Sequence, residues 1–125
     1  LVCFSKAGKG GHASSYVAYT YNGCSLAILA VANWNLIFQM EFAKPINAIA
    51  FANTKEHLVV GGDEGILHVI SIPSRSMILN TTLDSPILAV SFSLKDERLG
   101  VGTRDGVQSL ISPSDNWKLV GDIVS

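Results

Sequence analysis

Charged residues are scarce in this sequence. Asp, Glu, Lys and Arg make up 15% of the 125 residues, compared with about 25% in a typical soluble domain. The net charge is −1 and there is no basic tract, so nothing indicates binding to nucleic acid or to an anionic membrane. The low charge predicts that neighbouring structure covers part of the surface.

Cysteine is also rare. Cys3 and Cys24 are too few and too far apart for a disulfide framework or a metal-binding knuckle. We interpret both as buried free thiols. This favours a reducing, intracellular setting, either cytoplasmic or nuclear.

The chain has no uninterrupted hydrophobic run long enough to cross a membrane. A spanning helix needs about 20 predominantly apolar residues. No charged residue occurs between Lys9 and Glu41, but Asn22, Gly23 and the stretch 33–35 interrupt this segment. The remaining apolar pieces have the length of strands, so we predict no membrane span.

What the chain does contain is a repeat. PINAIAF at residues 45–51 is followed by PILAVSF at residues 86–92, and HLVVGGDEG at 57–65 by RLGVGTRDG at 98–106, both at an offset of 41 residues. A period of about 40–45 residues is typical of stacked or radial repeat architectures. We therefore predict three units of one domain: residues 1–44, whose first strand is truncated, residues 45–85 and residues 86–125.

Each unit contains four short strand-like segments separated by turn signals, and no segment has an apolar pattern of helical period. The predicted strands are 1–5, 16–21, 26–31 and 36–42 in the first unit, 46–51, 58–61, 67–72 and 77–83 in the second, and 87–92, 99–102, 107–111 and 117–123 in the third. Loops are predicted at 6–15, 53–56, 94–97 and 113–116. The chain is therefore predicted to be all-β.

Three matched turns join the second and third strands of the units. They are Asn22 with Gly23, Glu64 with Gly65, and Asp105 with Gly106. A two-residue type I′ turn needs positive φ at both central residues, and Asn-Gly tolerates this best. We predict a two-residue turn at Asn22 and Gly23, and positive φ at Gly65 and Gly106.

Several strands are apolar on both faces, among them 58–60 and 67–72. An antiparallel sheet with one solvated face would alternate between apolar and polar residues. Such strands must instead lie in a sheet that is covered on both sides, as in blades packed around a propeller axis. The residues expected to be buried between units are Ile49, Phe51, Val60, Val69, Val90, Phe92 and Leu99.

The repeated pattern P-I-x-A-[IV]-x-F, a polar loop and L-x-V-G-x-x-[DE]-G resembles the WD-repeat β-propeller family over nearly the whole chain. The repeats are degenerate, because the Trp-Asp dipeptide is absent and its positions hold Ile70 with Ser71 and Ile111 with Ser112. The resemblance implies a partial propeller of about three four-stranded antiparallel blades, which needs neighbouring blades of the same chain.

The resemblance also implies a function: a non-enzymatic scaffold for complex assembly that binds a protein or peptide partner. Two alternatives remain open. A β-trefoil also contains three four-stranded units and would bind a carbohydrate or other ligand. Alternatively, the chain is part of a propeller enzyme whose active site lies in other blades.

No residue pattern predicts a catalytic, cofactor or metal site. The segment KAGKGGHASS at 6–15 departs from the phosphate-loop pattern, because Cys3 occupies the first glycine position and no helix follows. His12, His57 and His68 lack ligand spacing and are expected to be ordinary surface or edge histidines.

The remaining candidate site is a surface formed by turns. The turns between second and third strands share one rim of a propeller with the connections between blades, and in WD-repeat propellers this rim commonly binds peptides and other domains. The candidate partner-contact residues are Tyr21, Asn22, Asp63, Glu64, Arg104 and Asp105, with Lys44, Asp84 and Ser85 beside them.

Overall fold

The computed structural model describes residues 1–4, 16–53, 56–93, 95–112 and 117–124. Within them, twelve β-strands follow one another along the chain. They are β1 (Val2–Phe4), β2 (Tyr16–Tyr21), β3 (Ser25–Ala30), β4 (Leu36–Glu41), β5 (Ile46–Phe51), β6 (His57–Gly62), β7 (Ile66–Ser71), β8 (Ser76–Thr82), β9 (Ile87–Phe92), β10 (Leu99–Thr103), β11 (Val107–Ser112) and β12 (Lys118–Val124).

The strands form three four-stranded antiparallel sheets, each in simple sequence order: β1 to β4, β5 to β8 and β9 to β12. Predicted and observed strand ends differ by at most one residue, because Gly, Asn and Pro mark the turns. Since each copy completes its own sheet, the trefoil alternative is wrong. The predicted loops at 6–15 and 113–116, and parts of those at 53–56 and 94–97, lie outside the described residues.

Positive φ angles occur where the turn signals predicted them. Asn22 and Gly23 have φ of 54° and 78°, and Gly65 and Gly106 have φ of 77° and 79°. The first turn is nevertheless not a two-residue loop, because Tyr21 pairs with Ser25 and leaves three residues between the strands. The prediction of positive φ at Asn22 and Gly23 is therefore confirmed, whereas the predicted length of two residues for this loop is wrong.

The third turn has a different geometry. Gly106 N donates a hydrogen bond to Thr103 O at 3.1 Å, and neither Arg104 nor Asp105 has positive φ. This is a type I turn followed by a left-handed glycine, the usual form of a three-residue hairpin loop. All three turns contain a glycine with positive φ, but it is the second loop residue in the first turn and the third in the other two.

The second sheet is covered on both faces, as its apolar strands predicted. Along β6, Leu58 and Val60 pack toward the first sheet, while Val59 packs toward the third. The cluster on one side includes Ala18, Leu26, Ile28, Leu58, Val60 and Ile70. The cluster on the other side includes Val59, Leu67, Val69, Ile87, Leu99 and Val101. The core therefore consists of two layers between three stacked sheets.

Three of the residues predicted to be buried are only half-buried. Phe51, Val60, Val69 and Leu99 are buried, whereas Ile49, Val90 and Phe92 are not. The three lie on the edge strands β5 and β9, but Phe51 on β5 and Ile87 on β9 are buried, so the edge position does not decide burial by itself. Repeat equivalence predicts the direction of a side chain, but the number of atoms that cover it depends on neighbouring sheets.

Candidate partner-contact rim

The turn rim comprises residues 21–24, 42–45, 63–65, 83–86 and 104–106, which are the β2–β3, β6–β7 and β10–β11 turns and the two connections between sheets. Backbone hydrogen bonds tie turns to connections. Ile46 N donates to Gly23 O at 2.8 Å, and Asp63 N donates to Pro45 O at 3.0 Å. The rim is therefore continuous across the sheets.

The structure places the six candidate residues on this rim in different environments. Asn22, Glu64, Arg104 and Asp105 are exposed, whereas Tyr21 and Asp63 are half-buried. The Gln39 side-chain amide donates a hydrogen bond to the hydroxyl oxygen of Tyr21. Among the accompanying residues, Lys44 and Asp84 are exposed. Ser85 was expected to be displayed but is 5% exposed, because it sits beneath the Gly65 turn.

Asn47 links the second sheet to the third, and the sequence analysis did not identify it. Its side-chain amide nitrogen donates to Asp63 Oδ1 at 2.9 Å and to the carbonyl oxygen of Ile87 at 3.0 Å. The equivalent position in the next repeat holds Leu88, which is 51% exposed, so comparison of the repeats carried no signal for this bond. Asn47 thus holds the Asp63 turn against the start of β9.

We expect Asn47→Ala to destabilise the protein by about 1–2 kcal/mol, since it removes two part-buried hydrogen bonds, one of them to a carboxylate. Asn80→Ala is the matched control, because Asn80 is exposed on β8 and its loss should change stability by less than about 0.5 kcal/mol. Urea denaturation measures both. Equal stability of the two variants would contradict a linking role for Asn47.

The rim carries an excess of negative charge. The described charged residues at or directly beside it are Glu41, Asp63, Glu64, Asp84 and Asp105, and Lys44 and Arg104. The Lys44 ammonium lies 3.4 Å from Glu64 Oε1, whereas Glu41, Asp84 and Asp105 form no salt bridge among the described residues. Five carboxylates thus face two cations, in a chain whose overall net charge is only −1.

A small pocket opens between the first and second sheets at this rim. It is shallow and partly open to solvent, and its lining includes Phe42, Pro45, Ile46, Ile66 and His68, with Lys44. The lining is mainly apolar. The pocket therefore adds a concave element to a surface made otherwise of turns.

His68 is buried in the wall of this pocket rather than lying at the surface or at an edge. It is 9% exposed, because its position on β7 directs it toward the first sheet. There the Phe42 ring stacks on the imidazole with a centroid separation of 5.1 Å. Burial lowers the pKa of His68, and Nδ1 has no hydrogen-bond partner among the described residues. His68 is therefore a neutral imidazole in the apolar wall of the pocket.

The opposite rim is held by other polar contacts. Asp96 is buried, and its carboxylate accepts a hydrogen bond from Asn53 N at 2.8 Å. The Asn53 amide donates to the Ser93 carbonyl at 2.8 Å. The Tyr16 hydroxyl donates a hydrogen bond to a carboxylate oxygen of Glu56 at 3.1 Å. Burial is the main reason why the pKa of Tyr16 is raised, and this hydrogen bond raises it further. These contacts join loops of neighbouring sheets, and the repeat pattern did not predict them.

Three further observations concern the part of the chain that the structure describes. Cys24 is a free thiol, as expected, but it is half-buried rather than buried. No cluster of potential metal ligands occurs there. No helix in the described ranges has the length and apolarity to traverse a bilayer.

Comparison with known proteins gives a clear result for the fold alone. No family model matches the sequence, and no curated protein matches it. Among solved structures, one of U3-55K is similar with a TM-score of 0.80, and a crystal structure of the RRP9 WD40 repeats with a TM-score of 0.79. Each aligns over 89% of this chain at 12% identity, and the chain spans 36% of the length of each. The chain thus has the fold of part of a WD40 β-propeller, with three four-stranded antiparallel sheets as its blades.

Proposed function

We propose that this chain is part of a non-enzymatic interaction scaffold, a segment with degenerate WD repeats that acts as a platform for complex assembly. Residues 1–44, 45–85 and 86–125 are then its three blades, within one propeller domain. The proposed setting is intracellular, in the cytoplasm or nucleus, and the proposed partner is a protein or peptide. Catalysis, cofactors and metals have no part in this function.

The observation that carries the proposal is the turn rim. It brings side chains from three sheets to one continuous surface, and Asn22, Glu64, Arg104 and Asp105 are all exposed on it. Backbone bonds and Asn47 hold the turns in place. A surface that is already ordered loses little conformational entropy on binding, which favours affinity. The similarity to the WD40 repeats of RRP9 supports the propeller fold that this proposal requires.

Site-specific photo-crosslinking in the cell tests this proposal. A photoreactive amino acid replaces Asn22, Glu64 or Asp105 in turn, and mass spectrometry identifies the crosslinked protein. We expect the same partner from all three positions. Arg75 is the control, because it is exposed in the β7–β8 turn, away from the turn rim, and should not crosslink to that partner. Crosslinks from Arg75 alone would overturn the assignment of the rim.

A further inference from the structure

The pocket and the charges of the turn rim together define what kind of partner fits. Phe42, Pro45, Ile46 and Ile66 line a shallow depression that is partly open to solvent. Phe42 and Ile46 belong to the core between the first and second sheets, so this part of the wall is held in place. An apolar side chain that packs against the depression would leave water, which is favourable.

The charges of the rim determine which residues of the bound segment are favourable on either side of that apolar side chain. Glu41, Asp84 and Asp105 are exposed and form no salt bridge among the described residues. Lys44 stands at the pocket, but Glu64 at 3.4 Å compensates its charge. The field of the rim is therefore that of an excess of carboxylates, which attracts cationic segments and repels anionic ones.

We propose that the turn rim binds an extended basic peptide segment of a partner protein, with one apolar side chain packed against the apolar lining of the pocket between the first and second sheets. Lysine or arginine side chains on either side of it lie beside the rim carboxylates. This inference rests on the proposed function of the rim and names the chemical class of its partner.

His68 is part of the pocket wall. It is more than nine-tenths buried, and its Nδ1 is covered by protein atoms, so the bound segment meets the wall of the pocket rather than this nitrogen. The charged groups around the pocket are Lys44 and Glu64, which neutralise one another.

Fluorescence polarisation with defined peptides tests the inference on the intact protein. The probe is a labelled peptide in which leucine is flanked on each side by two lysines. One control peptide has glycine in place of leucine, and the other has glutamates in place of the lysines. We expect the lysine peptide to bind about tenfold more tightly than the glutamate peptide and about fivefold more tightly than the glycine peptide.

Variants of the protein locate the binding. Ile66→Lys places a charge in the pocket wall and should weaken the lysine peptide by about tenfold or more. Ile78→Lys is the matched control, because Ile78 is 43% exposed on the outer strand of the same sheet, and it should change affinity by less than about twofold. Glu41→Lys combined with Asp84→Lys alters only exposed residues. This double variant should weaken the lysine peptide and strengthen the glutamate peptide.

The outcomes separate this inference from the proposed function. Equal binding of the lysine and glutamate peptides, or no binding of either, overturns the basic-peptide inference. So does unchanged affinity in Ile66→Lys. If photo-crosslinking from the rim still captures a partner in those cases, the scaffold function stands and only its partner class is wrong. If crosslinking from the rim fails, the scaffold function itself is wrong.

Discussion

Gly65→Ala is expected to destabilise this protein by about 3–5 kcal/mol. Two costs combine at this position. With φ of 77°, the backbone is in the left-handed region, which costs a residue with a Cβ about 1–2 kcal/mol. The added Cβ would also overlap the carbonyl oxygen of Leu83 and lie 2.9 Å from that of Ser85. Both obstacles are backbone atoms in the connection between sheets, so neither can rotate away, and such overpacking typically costs about 1–3 kcal/mol or more.

Gly23→Ala separates the two costs. Gly23 has nearly the same φ, 78°, but a Cβ there would meet no atom within 4 Å. We expect this variant to lose only about 1 kcal/mol, the cost of the backbone conformation. Urea denaturation followed by circular dichroism compares the two variants. Equal losses would show that the crowding beneath the Gly65 turn is absent in solution.

Phe51→Ala should cost about 3–5 kcal/mol, the range for truncating a buried aromatic side chain. Phe51 is 6% exposed and lies in the apolar cluster between the first and second sheets. No polar group replaces the lost ring, so the deletion leaves a cavity among packed aliphatic side chains.

Phe92→Ala is the matched comparison, because Phe92 occupies the equivalent position one repeat later. It is half-buried, and its ring meets the edge of Trp117 at a centroid distance of 6.2 Å. With less area removed from water, the expected loss is about 1–2 kcal/mol. Thermal unfolding of both variants measures the difference. Equal shifts of the melting midpoint would mean that solution packing follows the repeat rather than the environments seen in the structure.

Local sequence signals were sufficient to predict the number, order and approximate ends of the strands. Glycine at position 65 or 106 adopts positive φ without cost, and two-sided apolar strands such as β6 require a sheet that is covered on both faces. The 41-residue period then implied that one sheet shape recurs. The same strand order also predicted that the candidate residues lie together on one rim of the molecule.

Which side chains are covered, and which polar groups meet, depends on the packing of the sheets. Asn47 reaches Ile87, and Asn53 reaches Asp96, across about one repeat of sequence. The pocket beside His68 exists only because Phe42 from one sheet stacks on a strand of the next. These contacts depend on how two sheets pack against each other. Such packing joins residues that are far apart in the sequence, and no local pattern in either segment encodes it.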